Sequence, residues 1–229
     1  MLELNKIYNE DCLEGMKKIP DNSIDLICTD PPYCVGATSN GSKANFTDLN
    51  LIRPFFDCLF TEWERILKDG KHIYVCTDWR TYPLLYPILQ KYFVVRNLIV
   101  WDYGWIKAGN WYRFTHELIM FATKGKSTRN FTPDISNSDI WRIKTINYTD
   151  TNNKLHPSQK PVELFEKMIL NSSEKGDAIL DCFIGSGTTA IAAINTGRKF
   201  IGFELDENFY QKANERINKR IAEKELQLF

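Results

Sequence analysis

Residues 30–33 read Asp-Pro-Pro-Tyr and follow an apolar run that predicts a buried strand. Because proline cannot donate to a sheet ladder, Pro31 and Pro32 end that strand and aim the Pro31 carbonyl at the adjoining cleft. The Asp30 carboxylate and this carbonyl can each accept a hydrogen bond, and Tyr33 offers a flat face for stacking. Such a site suits a planar base that carries an exocyclic amino group.

A glycine-rich turn, residues 181–190, lies between a predicted strand and a predicted helix. Gly185 and Gly187 can adopt positive φ and allow a ligand to approach the backbone. Glu204 ends the next strand, 17 residues after Gly187, where its carboxylate can accept hydrogen bonds from both ribose hydroxyls of an adenosine. Asp181 suits a positively charged ligand group better than a pyrophosphate. The turn therefore predicts an adenosine with a cationic tail, which describes S-adenosylmethionine.

The spacing G-x-G-x-x-A in this turn also fits the dinucleotide fingerprint, so a nicotinamide oxidoreductase is a competing interpretation. About 40 residues follow the turn, too few for the second mononucleotide-binding half of such an enzyme.

Short apolar runs alternate with segments of helical period, which predicts an α/β fold. The predicted strands are 6–9, 24–29, 71–77, 98–101, 118–123, 178–181 and 200–205. The predicted helices are 13–18, 52–67 with Gly70 as its end, 82–91, 161–171, 188–196, and a last one capped by Asp206. The composition of residues 34–48 predicts a long loop. The segment of about 125–155 is predicted to be irregular and to lie outside the sheet.

The 229 residues are enough for one domain over 1–229, without repeats or a linker. No apolar stretch approaches the roughly 20 residues of a membrane span, and no signal peptide is visible, so a cytoplasmic protein is expected. The six cysteines form no C-x-x-C pair or Cys/His cluster, which favours buried free thiols and no metal site.

The formal net charge of zero does not itself indicate nucleic-acid binding. Residues 104–160, however, hold nine basic against four acidic residues, interleaved with Trp, Tyr and Phe. Basic and aromatic residues together are typical of a surface that follows a nucleic-acid backbone, although a solvated edge with core aromatics has the same composition.

Three segments together resemble the amino-methyltransferases of DNA. They are the tetrapeptide at 30–33, the Asp-x-Phe-x-Gly-Ser-Gly-Thr-Thr turn at 181–189, and His-Pro-Ser-Gln-Lys-Pro at 156–161. Their order, with the catalytic motif before the cofactor motif, is similar to the permuted β group of these enzymes. The resemblance implies a seven-stranded, mostly parallel sheet with one reversed strand and helices on both faces.

The resemblance also implies a set of site residues and double-stranded DNA as partner. The implied catalytic residues are Asp30, Pro31, Pro32 and Tyr33. The implied residues for S-adenosylmethionine are Asp11, Asp30, Ser158, Lys160, Asp181, Phe183, Gly185, Ser186, Gly187, Thr188, Thr189 and Glu204. Asp11 is expected near the adenine, and Ser158 and Lys160 near the methionine end. Without the resemblance, Asp11 is a plausible helix cap and Lys160 an exposed lysine in a loop.

An aspartate in first place of the tetrapeptide favours adenine over cytosine as the methylated base in this family, with N4-cytosine as the alternative. Methylation of RNA or protein amides is disfavoured, because those relatives begin the tetrapeptide with asparagine. A non-catalytic subunit is a further alternative, although the acidic residue and the glycine turn are both intact. Carbon-5 methylation is excluded, because it uses a cysteine after proline and no Pro-Cys pair occurs.

The target base is expected to be flipped out of the duplex. Residues 124–155 and the loop 105–113 are the expected recognition region. A homodimer is a reasonable expectation from the many aromatic residues, while the target sequence and any restriction endonuclease partner cannot be read.

Overall fold

The computed structural model describes residues 2–33, 49–106, 111–126, 138–145 and 159–226. Their strands are β1 (Lys6–Tyr8), β2 (Ile24–Thr29), β3 (Leu67–Thr77), β4 (Val94–Asp102), β5 (His116–Thr123), β6 (Ile140–Arg142), β7 (Ala178–Asp181) and β8 (Lys199–Phe203). Their helices are α1 (Cys12–Met16), α2 (Leu49–Ile66), α3 (Tyr82–Leu89), α4 (Val162–Ser172), α5 (Thr188–Thr196) and α6 (Glu207–Leu226).

The strands form one mixed sheet in the order β1-β8-β7-β2-β3-β5-β4-β6. β5 runs antiparallel to both of its neighbours, and every other pairing is parallel. The predicted α/β fold with one reversed strand is confirmed, although the described sheet has eight strands rather than seven. The additional strand, β6, lies in the segment that was expected to be irregular, and it pairs with β4 because Trp141 is buried there.

Successive side chains of a strand point to opposite faces of the sheet, and the apolar core therefore has two layers. Leu26 and Cys28 face the layer that contains α4, α5 and α6, whereas Ile27 faces the layer that contains α1, α2 and α3. This period of two is the one that a strand buried on both faces requires. The helix α2 presents a wholly buried apolar face, which includes Phe56 and Trp63.

Of two predictions about helix ends, one is wrong and one is confirmed. Gly70 was expected to end α2, but the helix ends at Ile66 and Gly70 lies inside β3 with φ +76°. There it occupies an irregularity in the pairing of β2 with β3, where a left-handed residue is tolerated because glycine has no Cβ. The predicted cap of α6 is confirmed, since Asp206 Oδ1 accepts from the Asn208 and Phe209 amides at 2.9 and 3.1 Å.

The described helices include none that is long and apolar enough to cross a membrane. Among the described cysteines, Cys12, Cys28, Cys76 and Cys182 are free and buried, as expected, but Cys58 is exposed.

A polar network is buried between β3 and α4. Ser172 Oγ lies 2.8 Å from both His72 Nδ1 and the Tyr74 hydroxyl. Burial, reinforced by the charges of Lys71 and Arg96, lowers the pKa of His72 to about 4. The folded protein therefore holds this imidazole neutral under conditions in which the unfolded chain protonates it.

We expect the folded state to lose stability as the pH falls through the interval between the unfolded and folded pKa values of His72. With a pKa near 6.5 when unfolded, His72 accounts for about 2 kcal/mol of this loss at pH 5. Urea denaturation of wild type and H72Q at pH 7 and pH 5 measures it, and H72Q should lose correspondingly less. The exposed His116 supplies the control, because H116Q should respond like wild type. Equal losses in wild type and H72Q would contradict the assignment.

Candidate active site

The sequence motifs meet at one edge of the sheet. Because β1, β8, β7, β2 and β3 are parallel, their carboxyl ends lie together, and ligands of open α/β sheets bind outside this edge. Asp30 follows β2, the glycine turn follows β7, and Glu204 follows β8. The predicted acceptor and cofactor segments therefore lie side by side at this edge, with β7 and β2 as direct neighbours.

Asp181 joins the two segments. Its carboxylate is buried and accepts hydrogen bonds from Thr29 Oγ1 at 2.6 Å, from the Phe183 amide at 3.0 Å and from Thr189 Oγ1. Burial raises the pKa of Asp181 to about 6, while these three hydrogen bonds oppose that rise. Both oxygens are thus engaged within the protein, and the carboxylate organises the turn.

The glycine turn has the backbone that the sequence predicted, since Gly185 and Gly187 have φ of +51° and +79°. Glu204 braces the turn by accepting from the Gly185 amide at 3.0 Å, and burial raises the pKa of this carboxyl. Arg216, on α6, donates to the Ser186 carbonyl at 3.0 Å. The sequence analysis did not identify Arg216, because its position on a charged helix carries no motif.

The remaining predicted cofactor residues occupy different settings. Asp11 is exposed and caps α1 by accepting from the Leu13 amide at 2.8 Å. Phe183 is half-buried, and Thr188 Oγ1 lies 3.3 Å from the Lys160 carbonyl. Ser158 lies outside the described residues.

A compact polar cluster surrounds the tetrapeptide. Lys160 Nζ contacts Asp30 Oδ2 at 2.7 Å and Glu117 Oε2 at 3.0 Å. The Tyr33 hydroxyl donates to Asp30 Oδ1 at 2.9 Å and lies 3.3 Å from both Glu117 Oε2 and Lys160 Nζ. The cluster combines two carboxylates, one ammonium and one phenol, and Lys160 and Tyr33 each contact both carboxylates.

The charges of this cluster follow from its surroundings. Burial disfavours an ammonium, yet the Asp30 and Glu117 carboxylates outweigh it and raise the pKa of Lys160. Burial, with the same two carboxylates, raises the pKa of Tyr33 well above its usual range. At neutral pH the lysine is therefore charged and the tyrosine is a neutral donor. Lys160 is 8% exposed, so the interpretation as an exposed loop lysine was wrong.

Glu117 is the member of the cluster that the sequence analysis missed. It lies near the start of β5, and because β5 is reversed, this start meets the carboxyl ends of the parallel strands. One signal was present in the sequence, namely a lone carboxylate directly before the buried run Leu118–Thr123. Its significance depended on the direction of the strand.

Part of the expected recognition region is described. Trp105, Trp111 and Tyr112 are exposed in the connection between β4 and β5. This connection lies at the same edge of the sheet as Asp30, the edge where the parallel strands end. Residues 107–110, 127–137 and 146–158 lie outside the described part of the chain.

The donor set at this edge fits S-adenosylmethionine. Two glycines leave the backbone of the turn without side chains, Glu204 can receive ribose hydroxyls, and Asp30 places a carboxylate after β2 that suits a cationic tail. Asp181, which was expected to suit the same tail, has both oxygens hydrogen-bonded within the protein. The chain is similar to the solved structure of the M1.HpyAVI complex with S-adenosylmethionine, with a TM-score of 0.69, 26% identity, and 92% and 98% of the two chains covered. Fold and site together define an S-adenosylmethionine-dependent methyltransferase.

Residues 24–215 match the model of the N6/N4 DNA methylase family. The chain therefore belongs to this family of DNA methyltransferases.

Curated relatives agree with this assignment. The DNA adenine methyltransferase YhdJ of Escherichia coli (strain K12) is 29% identical, with 94% of this chain and 83% of the relative covered. The Type II methyltransferase M.HpaI of Haemophilus parainfluenzae is 31% identical, with 93% and 74% covered.

The hydrogen bond between Thr29 and Asp181 gives a testable prediction. T29V keeps the side-chain shape but removes one donor from a buried carboxylate, and we expect a loss of about 1–3 kcal/mol in the free energy of unfolding. Weaker binding of S-adenosylmethionine should accompany it, because the turn loses an anchor. Urea denaturation and calorimetric titration measure the two effects. T61V is the control for cofactor binding, because it also removes a hydrogen-bonded hydroxyl but one whose partners, Asp57 and Tyr92, lie outside the turn. T61V should leave cofactor binding unchanged, and an unchanged T29V would contradict the anchoring role.

Proposed function

We propose that this DNA methyltransferase transfers its methyl group to N6 of a flipped-out adenine, with Asp30 as the principal acceptor of the amino protons. The observation that supports this most directly is that Asp30 and the glycine turn follow the neighbouring strands β2 and β7, which the 2.6 Å hydrogen bond between Thr29 and Asp181 joins. An acceptor and a methyl donor held on those strands would share one cleft.

The amino group of a base is a poor nucleophile, because its lone pair is delocalised into the ring. Hydrogen bonds from its two protons to the Asp30 carboxylate and the Pro31 carbonyl would favour a pyramidal nitrogen whose lone pair can attack. Asp30 would also stabilise the positive charge that develops on this nitrogen. The proton that leaves the product can pass to water, so the reaction needs no histidine base.

S-adenosylmethionine, when bound, supplies an electrophilic methyl group on a sulfonium. We assign Glu204 to the ribose hydroxyls, Asp11 to the adenine side, and Ser158 and Lys160 to the methionine end. The glycine turn and its neighbours Phe183, Ser186, Thr188 and Thr189 would hold the cofactor in place. Asp30 would lie toward its cationic end, and Asp181 would serve the cofactor by fixing the turn. Rigid positioning of both reactants supplies much of the rate in such an in-line transfer.

The target base must leave the duplex to reach Asp30. Unstacking costs a few kcal/mol, and stacking on an aromatic ring returns about 1–3 kcal/mol. Tyr33 is the proposed platform, because it directly follows the acceptor residues. Residues 105–113 and 124–155 are the proposed DNA-recognition region, where the exposed Trp111 and Tyr112 belong.

Adenine is the proposed base because aspartate stands first in the tetrapeptide, and a relative covered over most of its length carries the name DNA adenine methyltransferase. Cytosine N4 is the second candidate, because the family includes enzymes of both kinds.

Mapping modified bases in DNA from a host that expresses the chain tests the proposal. We expect N6-methyladenine at a recurring short sequence. N4-methylcytosine would show that the base is wrong while the reaction class is right. Binding of S-adenosylmethionine without any methylated base would instead support a non-catalytic subunit.

Replacement of the acceptor carboxylate tests the mechanism. D30A should lower the rate of methylation at saturating cofactor at least about 100-fold, the scale of losing one group that stabilises transition-state charge. Transfer of radioactive methyl groups to DNA measures it. D69N is the matched control, because the Asp69 side chain is 88% exposed near the amino end of β3. Full methylation by D30A would refute the proposed role.

A further inference from the structure

The acceptor carboxylate is occupied before any base arrives. Lys160 Nζ holds Asp30 Oδ2 at 2.7 Å, and the Tyr33 hydroxyl holds Asp30 Oδ1 at 2.9 Å. Each carboxylate oxygen can accept a further hydrogen bond, so the amino group of a base would share Asp30 with these donors and weaken their hold on it. A charged ammonium with 9% of its side chain exposed is costly to leave without a partner.

Glu117 offers a second acceptor to both donors. Its Oε2 lies 3.0 Å from Lys160 Nζ and 3.3 Å from the Tyr33 hydroxyl. The Glu117 side chain is 17% exposed, so solvent screens these contacts only in part. Both donors already lie within contact distance of Glu117, which can therefore keep them when Asp30 binds another group.

We propose that Glu117 is a positioning residue that retains the Lys160 ammonium and the Tyr33 hydroxyl while Asp30 turns to the amino group of the base. This inference rests on the proposed function. It assigns no proton transfer to Glu117, which acts through Lys160 and Tyr33 by changing how strongly they hold Asp30.

The charge of the cluster supports the same role. Asp30, Glu117 and Lys160 together carry one net negative charge, which complements the positive charge that develops on the attacked nitrogen. Without Glu117 the cluster would have no net charge before the reaction, and Lys160 would pair with Asp30 alone. Both effects would slow the chemical step more than they weaken binding of either substrate.

Strand pairing fixes the position of Glu117. It pairs with Trp101 of β4, and the next residue, Leu118, pairs with Thr77 of β3. A carboxylate held between two strands can serve as a fixed partner while Asp30, on the turn after β2, changes its contacts.

The first test is E117Q. We expect kcat to fall about 10- to 100-fold at saturating DNA and cofactor, with the KM for DNA and the Kd for S-adenosylmethionine changed less than about threefold. E117D, which keeps a carboxylate, should recover part of the rate. E223Q, which removes an exposed carboxylate from α6, is the matched control and should behave like wild type. Thermal denaturation checks that each variant is folded.

The second test introduces E117Q into the K160M variant. Without the ammonium, Glu117 repels Asp30 and keeps only its longer, 3.3 Å contact with the neutral Tyr33 hydroxyl. Adding E117Q to K160M should therefore leave the rate within about threefold or raise it. A rate lowered by the same factor in both backgrounds would overturn the inference, because it would show that Glu117 acts independently of Lys160.

The two proposals fail in different ways. Wild-type protein that methylates no DNA would overturn the proposed function and this inference with it. Active wild type with an equally active, folded E117Q would overturn the role of Glu117 alone.

Discussion

The buried carboxylate of Asp181 is the contact on which the rest of the site depends. Burying a carboxylate costs several kcal/mol unless hydrogen bonds replace its hydration, and Thr29, Thr189 and the Phe183 amide provide them. These donors belong to β2, to the start of α5 and to the turn itself, so satisfying one carboxylate fixes all three relative to β7. The tetrapeptide after β2 is then held at a set distance from the glycine turn. A reaction that needs two ligands in line requires this kind of rigidity.

The reversed strand β5 has a comparable consequence on the other side of Asp30. A parallel strand at this place would present its carboxyl end to the cleft, whereas β5 presents its beginning. Glu117 thereby reaches the Asp30–Lys160 pair, although it is 87 residues from the one and 43 from the other along the chain. The same reversal brings the connection from β4 to β5, with its exposed Trp111 and Tyr112, to the cleft side of the sheet.

Lys160 links the two halves of the site. Its ammonium contacts Asp30 and Glu117, while its carbonyl accepts from Thr188 at the start of α5. One residue therefore connects the start of α5 with the Asp30 carboxylate. The buried lysine remains charged because two carboxylates, Asp30 and Glu117, both attract it.

The sequence by itself determined the features that depend on neighbouring residues. Prolines after a strand, glycines that need positive φ at 185 and 187, the Asp206 cap and the alternating core of β2 all follow from local backbone chemistry and periodicity. Local signals failed where long-range pairing decides the outcome. Gly70 resembled a helix end but occupies an irregularity in β3 that exists only because β2 lies beside it, and β6 forms only because β4 provides an edge. Glu117 entered the site, and Lys160 became buried, for the same reason. The tertiary structure alone decides which distant charges become neighbours, because the energy of a buried charge depends on partners that the adjacent sequence does not contain.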